Sequence, residues 1–118
     1  MLDEKDLEFV SALRSINVPR NVASLITFLS NVDEATSREI ERGTNLRQPE
    51  VSIAMRALRE NNWIEEHGVK VAGKGRPMKV YKLNVPIGEI IKHYEEEKNS
   101  EAAKSMQAIQ RLKDIAAT

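Results

Sequence analysis

Residues 35–83 read ATSREIERGTNLRQPEVSIAMRALRENNWIEEHGVKVAGKGRPMKVYKL, and the order of their local signals decides the fold. Thr36-Ser37-Arg38-Glu39 has the form of a capping box, in which the Thr hydroxyl and the Glu carboxylate satisfy each other's orphan backbone N–H groups. A short helix therefore opens at Thr36. Gly43 is expected to close it, because Gly takes the left-handed C′ conformation without a Cβ penalty. Pro49 marks the start of a longer helix, since its missing N–H costs nothing at the first helical position. Val51, Met55 and Leu58 then fall at i, i+4 and i+7 and make one apolar stripe. Gln48, Ser52, Ile53, Arg56 and Arg59 occupy the opposite face. Ile40 and Leu46 are expected to join the stripe between the two helices, which gives helix-turn-helix spacing.

A hairpin follows. Trp63-Ile64 leaves the second helix for a strand, and Val69–Val71 and Met78–Leu83 alternate at period two. Gly73-Lys74-Gly75-Arg76-Pro77 forms the tip, bent by its two glycines, so that Lys74 and Arg76 are carried into solvent. Tyr81 and Leu83 share one face of the strand, and that face is expected to point inward.

Working outward, Leu7, Val10 and Leu13, with Phe9 and Ile16 nearby, mark an amphipathic helix over 3–16 with acids in its first turn. Acids there suit the positive end of the helix dipole. Pro19 disfavours helical geometry at Val18 and opens a second helix carrying Val22, Leu25, Ile26 and Leu29. Pro86 opens the last helix, which has room to run to about residue 116, roughly 45 Å at 1.5 Å per residue. Ala102, Met106, Ile109, Leu112 and Ala116 form a stripe of coiled-coil spacing along it, and the seam is expected to be interrupted near Asn99-Ser100. A stripe that outlasts its domain is an association surface, so the expected organisation is a domain over 1–85 and a dimerisation helix over 86–118, the homodimer forming through the first and last helices. The competing outcome ends the helix at Asn99-Ser100 and folds the tail back on Leu7, Val10 and Leu13.

The 118 residues suffice for one domain with a modest core, and aromatic residues are few. With no cysteine, disulfides, thiolate metal sites and thiol redox chemistry are excluded. No apolar run reaches the length of a membrane span, so a soluble, cytoplasmic protein with no membrane partner is expected. Eighteen basic and eighteen acidic residues cancel, but unevenly along the chain. From His67 to Lys82 the five cations Lys70, Lys74, Arg76, Lys79 and Lys82 have no acid among them. Such a patch attracts phosphate even on a neutral molecule, although Lys70 and Lys82 also suit ordinary strand-edge lysines. His67 and His93 stand alone, whereas a metal site needs three or four convergent ligands. No arrangement of nucleophile and base and no phosphate loop is present, so neither an enzyme nor a cofactor is expected.

LRQPEVSIAMRALRENNWI followed by GKGRPMKVYKL resembles the recognition helix and wing of winged-helix transcriptional regulators, closest to archaeal members of the broad MarR/ArsR/TrmB-like superfamily. The resemblance spans about residues 19–83 and implies a mainly α fold with a small β-hairpin, that is, a winged helix-turn-helix. It further implies a homodimeric regulator that binds double-stranded DNA, its recognition helix 49–61 in the major groove and its wing 69–83 on phosphate or the minor groove. Carried over, Gln48, Ser52 and Arg56 stand nearest base edges, while Pro49 and Ile53 offer apolar contact to a thymine methyl. Ser37, Arg38, Arg47, Lys74 and Arg76 would hold phosphates or, at the tip, the minor groove. Glu50 departs from a basic surface, either reading a cytosine amino group or favouring the helix N-terminus. The alternative is a protein-interaction module in a larger transcription-related complex, its wing touching a partner protein. Neither reading names an effector ligand.

Overall fold

The computed structural model describes residues 2–70 and 77–118. Its elements run α1 (Glu4–Ser15), α2 (Arg20–Ser30), β1 (Ala35–Thr36), α3 (Ser37–Thr44), α4 (Gln48–Glu60), β2 (Ile64–Lys70), β3 (Pro77–Leu83) and α5 (Ile87–Ala116). They divide into two units, Met1–Pro86 and Ile87–Thr118. The first is a winged helix: mainly α, with one small antiparallel sheet.

Helix α2 is the hub of the first unit. Val22 to Thr27 and Leu29 are all buried along it, and it packs against α1, α3, α4 and β3. Leu25 and Ile26 are wholly enclosed, each such side chain contributing about 1.5–3 kcal/mol on leaving water. The buried hydroxyl of Thr27 is satisfied by donating to Ala23 O at 2.8 Å. From α1, Val10 and Leu13 join the core, but Leu7 does not and is exposed. Two successive steps of three residues carry it about 120° around the helix from Leu13, off the buried face. A capping box at Asp3 and Asp6 starts α1, and Asn31 Nδ2 donates to Asp6 Oδ1 at 2.8 Å, tying the start of α1 to the end of α2.

The capping box expected at Thr36 is present. Thr36 N donates to Glu39 Oε1 at 2.9 Å, and Glu39 N to Thr36 Oγ1 at 3.2 Å. Gly43, however, does not close α3. The left-handed residue is Asn45, with φ 59°, and Gly43 lies inside the helix. Its missing Cβ serves packing: a methyl there would overlap Cε1 of Phe28 and lie 2.8 Å from Cζ. Helix α4 begins one residue before Pro49, with Arg47 as N-cap, and buries Val51, Ala54, Met55 and Leu58. It ends in a Schellman motif around Asn62 (φ 58°): Trp63 N donates to Leu58 O and Asn62 N to Arg59 O, both at 3.0 Å. Helix α1 ends the same way around Asn17 (φ 70°), with Val18 N on Leu13 O at 3.1 Å.

Among the described residues the sheet has three strands, not two, in the order β1-β3-β2. Ala35 pairs with Tyr81 and Thr36 with Val80, placing the start of α3 beside the central strand. The hairpin register sets Glu66 opposite Tyr81 and Glu65 opposite Lys82. The inward face of β3 is the reverse of that expected. Val80 is buried, whereas Tyr81 and Leu83 are only half-buried; side chains alternate across the strand, and the face that carries Val80 is the one fully covered.

The second unit is a single helix of 30 residues, unbroken at Asn99-Ser100. At 1.5 Å per residue it is about 45 Å long. Ile90 is its buried residue, and every position from 99 to 118 is exposed, including Met106 and Leu112 at 66% each.

Candidate nucleic-acid interface

The outward face of α4 is built by subtraction. Once Val51, Ala54, Met55 and Leu58 turn to the core, helical geometry leaves Gln48, Ser52, Ile53, Arg56 and Arg59 exposed together. Ser37, the first residue of α3, and Tyr81 of the central strand border the same face. With Gln48, Ser52, Arg56 and Arg59 they line a groove of about 170 Å³. Hydroxyl, amide and guanidinium donors from three elements thus converge on one concave surface. Such a set recognises phosphate oxygens and base-edge acceptors.

Of the residues singled out from sequence, Ser37, Gln48, Ser52 and Arg56 come together in this groove. Arg47 and Pro49 line a second groove at the start of α4, with Arg20, Asn45 and Glu50. Ile53 and Arg38 are exposed, Ile53 at 59%, but line neither groove. Lys74 and Arg76 lie outside the described residues. Tyr81 and Arg59 are the members that sequence reading left out. Arg59 already stood on the polar face of the helix, while Tyr81 was hidden by the inverted reading of its strand.

Glu50 has a structural position. Its Oε1 accepts from Arg47 N at 3.0 Å, its Oε2 from Arg20 Nη2 at 2.9 Å, and its carbonyl from Asn21 Nδ2 at 3.3 Å. It caps α4 and straps the start of that helix to α2, which agrees with the helix N-terminus reading.

The acid-free run changes character in three dimensions. Antiparallel pairing returns the acids just ahead of His67 to the cations near its far end. Lys79 Nζ lies 3.3 Å from Glu66 Oε1, and Lys82 Nζ lies 3.5 Å from Glu65 Oε1. Glu66 Oε2 also faces Arg59 Nη2 at 3.9 Å. The cationic strand is therefore partly neutralised by its neighbour. Among the described residues, no group of three His, Cys, Asp or Glu side chains is placed to hold a metal, and no helix is long and apolar enough to cross a membrane.

A helix-turn-helix with an outward polar helix and an antiparallel wing defines the winged-helix class, and solved structures of that class match the chain. A possible transcriptional regulator from Methanosarcina mazei superposes with a TM-score of 0.64 at 15% identity, over 89% of this chain and 87% of that one. A transcriptional regulator homologue from Pyrococcus horikoshii gives 0.52 at 18% identity, over 85% and 96%. A MarR family regulator from Neisseria meningitidis, NMB1585, gives 0.50 at 14% identity, over 93% and 82%. The chain thus has the fold of MarR-type winged-helix transcription regulators. No protein-family model matches the sequence, and no curated protein matches it either.

Proposed function

We propose that the chain is a sequence-specific, DNA-binding transcription regulator of the cytoplasm, acting as a homodimer and without enzymatic activity. The observation that carries this reading is the groove along the outward face of α4 in which Gln48, Ser52, Arg56 and Arg59 converge with Ser37 of α3 and Tyr81 of β3. In this reading residues 1–85 are the DNA-binding domain. Helix α4 enters the major groove, with Gln48, Ser52 and Arg56 at base edges and Pro49 and Ile53 against thymine methyls. Ser37, Arg38 and Arg47 hold phosphates on either side, and Lys74 and Arg76 serve as further contacts to phosphate or the minor groove. The exposed apolar stripe of α5 supplies the dimer contact, because a twofold axis lets one patch serve both copies.

The test is a DNA titration at several salt concentrations, using a duplex selected from a random pool. About three phosphates neutralised per protomer give a slope of log K against log salt near −5 for the dimer. A second reading, a winged-helix module that binds another protein, is favoured by the neutralisation of Lys79 and Lys82 by Glu66 and Glu65. Absence of any salt-dependent DNA binding would reject the first reading in favour of the second.

A further inference from the structure

The cluster formed by Glu66, Arg59 and Lys79 has a form that the proposed function does not use. Arg59 comes from the last turn of α4 and Lys79 from β3, and both reach the same carboxylate, at 3.9 Å and 3.3 Å. The register explains how. Glu66 stands opposite Tyr81, and Lys79 lies two residues before Tyr81 on the same strand face. Directly opposite Lys79 is Gly68, so no side chain fills that place and the lysine leans diagonally toward Glu66. Arg59 and Tyr81 also line the groove on α4, so the cluster lies at its rim.

A carboxylate between a guanidinium and an ammonium is the arrangement a phosphodiester oxygen adopts between the same two groups. We propose that Arg59 and Lys79 form a DNA-phosphate site that Glu66 occupies in the free protein, so that the chain's own carboxylate competes with the nucleic-acid backbone. All three side chains are partly exposed, at 50%, 69% and 34% for Arg59, Lys79 and Glu66. Exposed ion pairs add little stability, and the 3.9 Å separation from Arg59 is too long for a hydrogen bond. The carboxylate is therefore readily displaced, yet while in place it lowers the attraction of this rim for any duplex. That restraint acts on backbone affinity, which is the sequence-independent part of binding.

The inference rests on the DNA-binding reading, and the experiment separates the two. Full-length wild type, Glu66→Gln, Arg59→Gln and the double variant are titrated with random duplex DNA over a salt series, with thermal melts to confirm folding. Glutamine keeps the shape of Glu66 and removes its charge. Glu66→Gln is expected to bind random DNA about tenfold more tightly at low salt, with a salt slope steeper by about 1 for each phosphate newly contacted. Arg59→Gln should then weaken binding severalfold more in the Glu66→Gln background than in wild type, because in wild type phosphate must first displace Glu66 from Arg59, which offsets part of the contact. Equal losses in the two backgrounds would mean that Glu66 acts through overall charge alone, and would overturn the inference. An unchanged affinity in Glu66→Gln beside normal wild-type binding would do the same while leaving the DNA-binding reading intact. Failure of every folded variant to bind DNA at any salt would remove both.

Discussion

Replacing Gly43 with alanine sets two effects of known size against each other. Gly43 lies inside α3, where alanine is favoured over glycine by about 1 kcal/mol on helix propensity alone. Against this, the new methyl would occupy the edge of the Phe28 ring, overlapping one ring carbon and crowding Cδ1 and Cζ at 2.6 and 2.8 Å. Three ring atoms are involved, so a small rotation does not relieve the clash and the whole ring must move. Overpacking of this kind costs about 1–3 kcal/mol. The expected net effect of Gly43→Ala is a loss of about 1 kcal/mol, which for a domain of this size lowers Tm by roughly 4 °C. Thermal and urea unfolding followed by circular dichroism would read it. The decisive arm is the Phe28→Ala background, where the ring is gone and only propensity remains. There the same Gly43→Ala change should reverse sign and stabilise by about 1 kcal/mol. If Gly43→Ala stabilises the protein with Phe28 in place, the packing argument is wrong and the glycine has another cause.

Three further outcomes follow from the described contacts. Arg56→Ala should cost about 1–3 kcal/mol on a preferred duplex and little on random DNA, measured by competition titration; equal losses on both would reduce Arg56 to a phosphate contact. Leu112→Glu places a charge in the exposed stripe of α5, and sedimentation should show it shifting a dimer to monomer; an unchanged dimer would locate the interface elsewhere. The Asp6 carboxyl is held below the usual carboxylate range, first by the backbone N–H of Asp3 and then by the side chain of Asn31. A lowered value means that ionised Asp6 stabilises the fold above the ordinary carboxylate pKa, and that this contribution fades as pH falls through the lowered one. Asp6→Ala should therefore melt earlier than wild type at neutral pH, with the difference narrowing in acid.

The parts of the fold legible in the sequence are those written in local chemistry. Thr36 and Glu39 are three residues apart, and the spacing alone announces the cap. Val51, Met55 and Leu58 define the buried side of α4 by periodicity, and with it the outward set Gln48, Ser52, Ile53, Arg56 and Arg59. Pairing between distant segments is what escapes. β1 has two residues, too few to show an alternation, and exists only because β3 offers it an edge. Tyr81 and Val80 both belong to a strand of apolar and basic residues, and which one turns inward depends on the helices behind it. The neutralised wing is the sharpest case. Glu65 and Glu66 are more than a dozen residues from Lys79 and Lys82 along the chain, and antiparallel pairing alone brings them together. The candidate site was thus visible as a set of donors, but its acidic counterpart was not.

The three left-handed asparagines have a consequence for how tolerance to substitution is mapped on this protein. Asn17, Asn45 and Asn62 all have positive φ and all are exposed at the exits of α1, α3 and α4. Only glycine, and to a lesser degree asparagine or aspartate, takes this conformation without a penalty of about 1–2 kcal/mol. A saturation screen scored on cell growth would therefore find narrow tolerance at three surface positions, two of them flanking the helix proposed to read DNA. Read as a heat map, that pattern imitates a binding footprint. The replacement that distinguishes the cases is glycine, which deletes every side-chain contact yet keeps the backbone. Where Asn→Gly passes and Asn→Ser or Asn→Ala fails, the position encodes a bend in the chain and not a contact with a ligand.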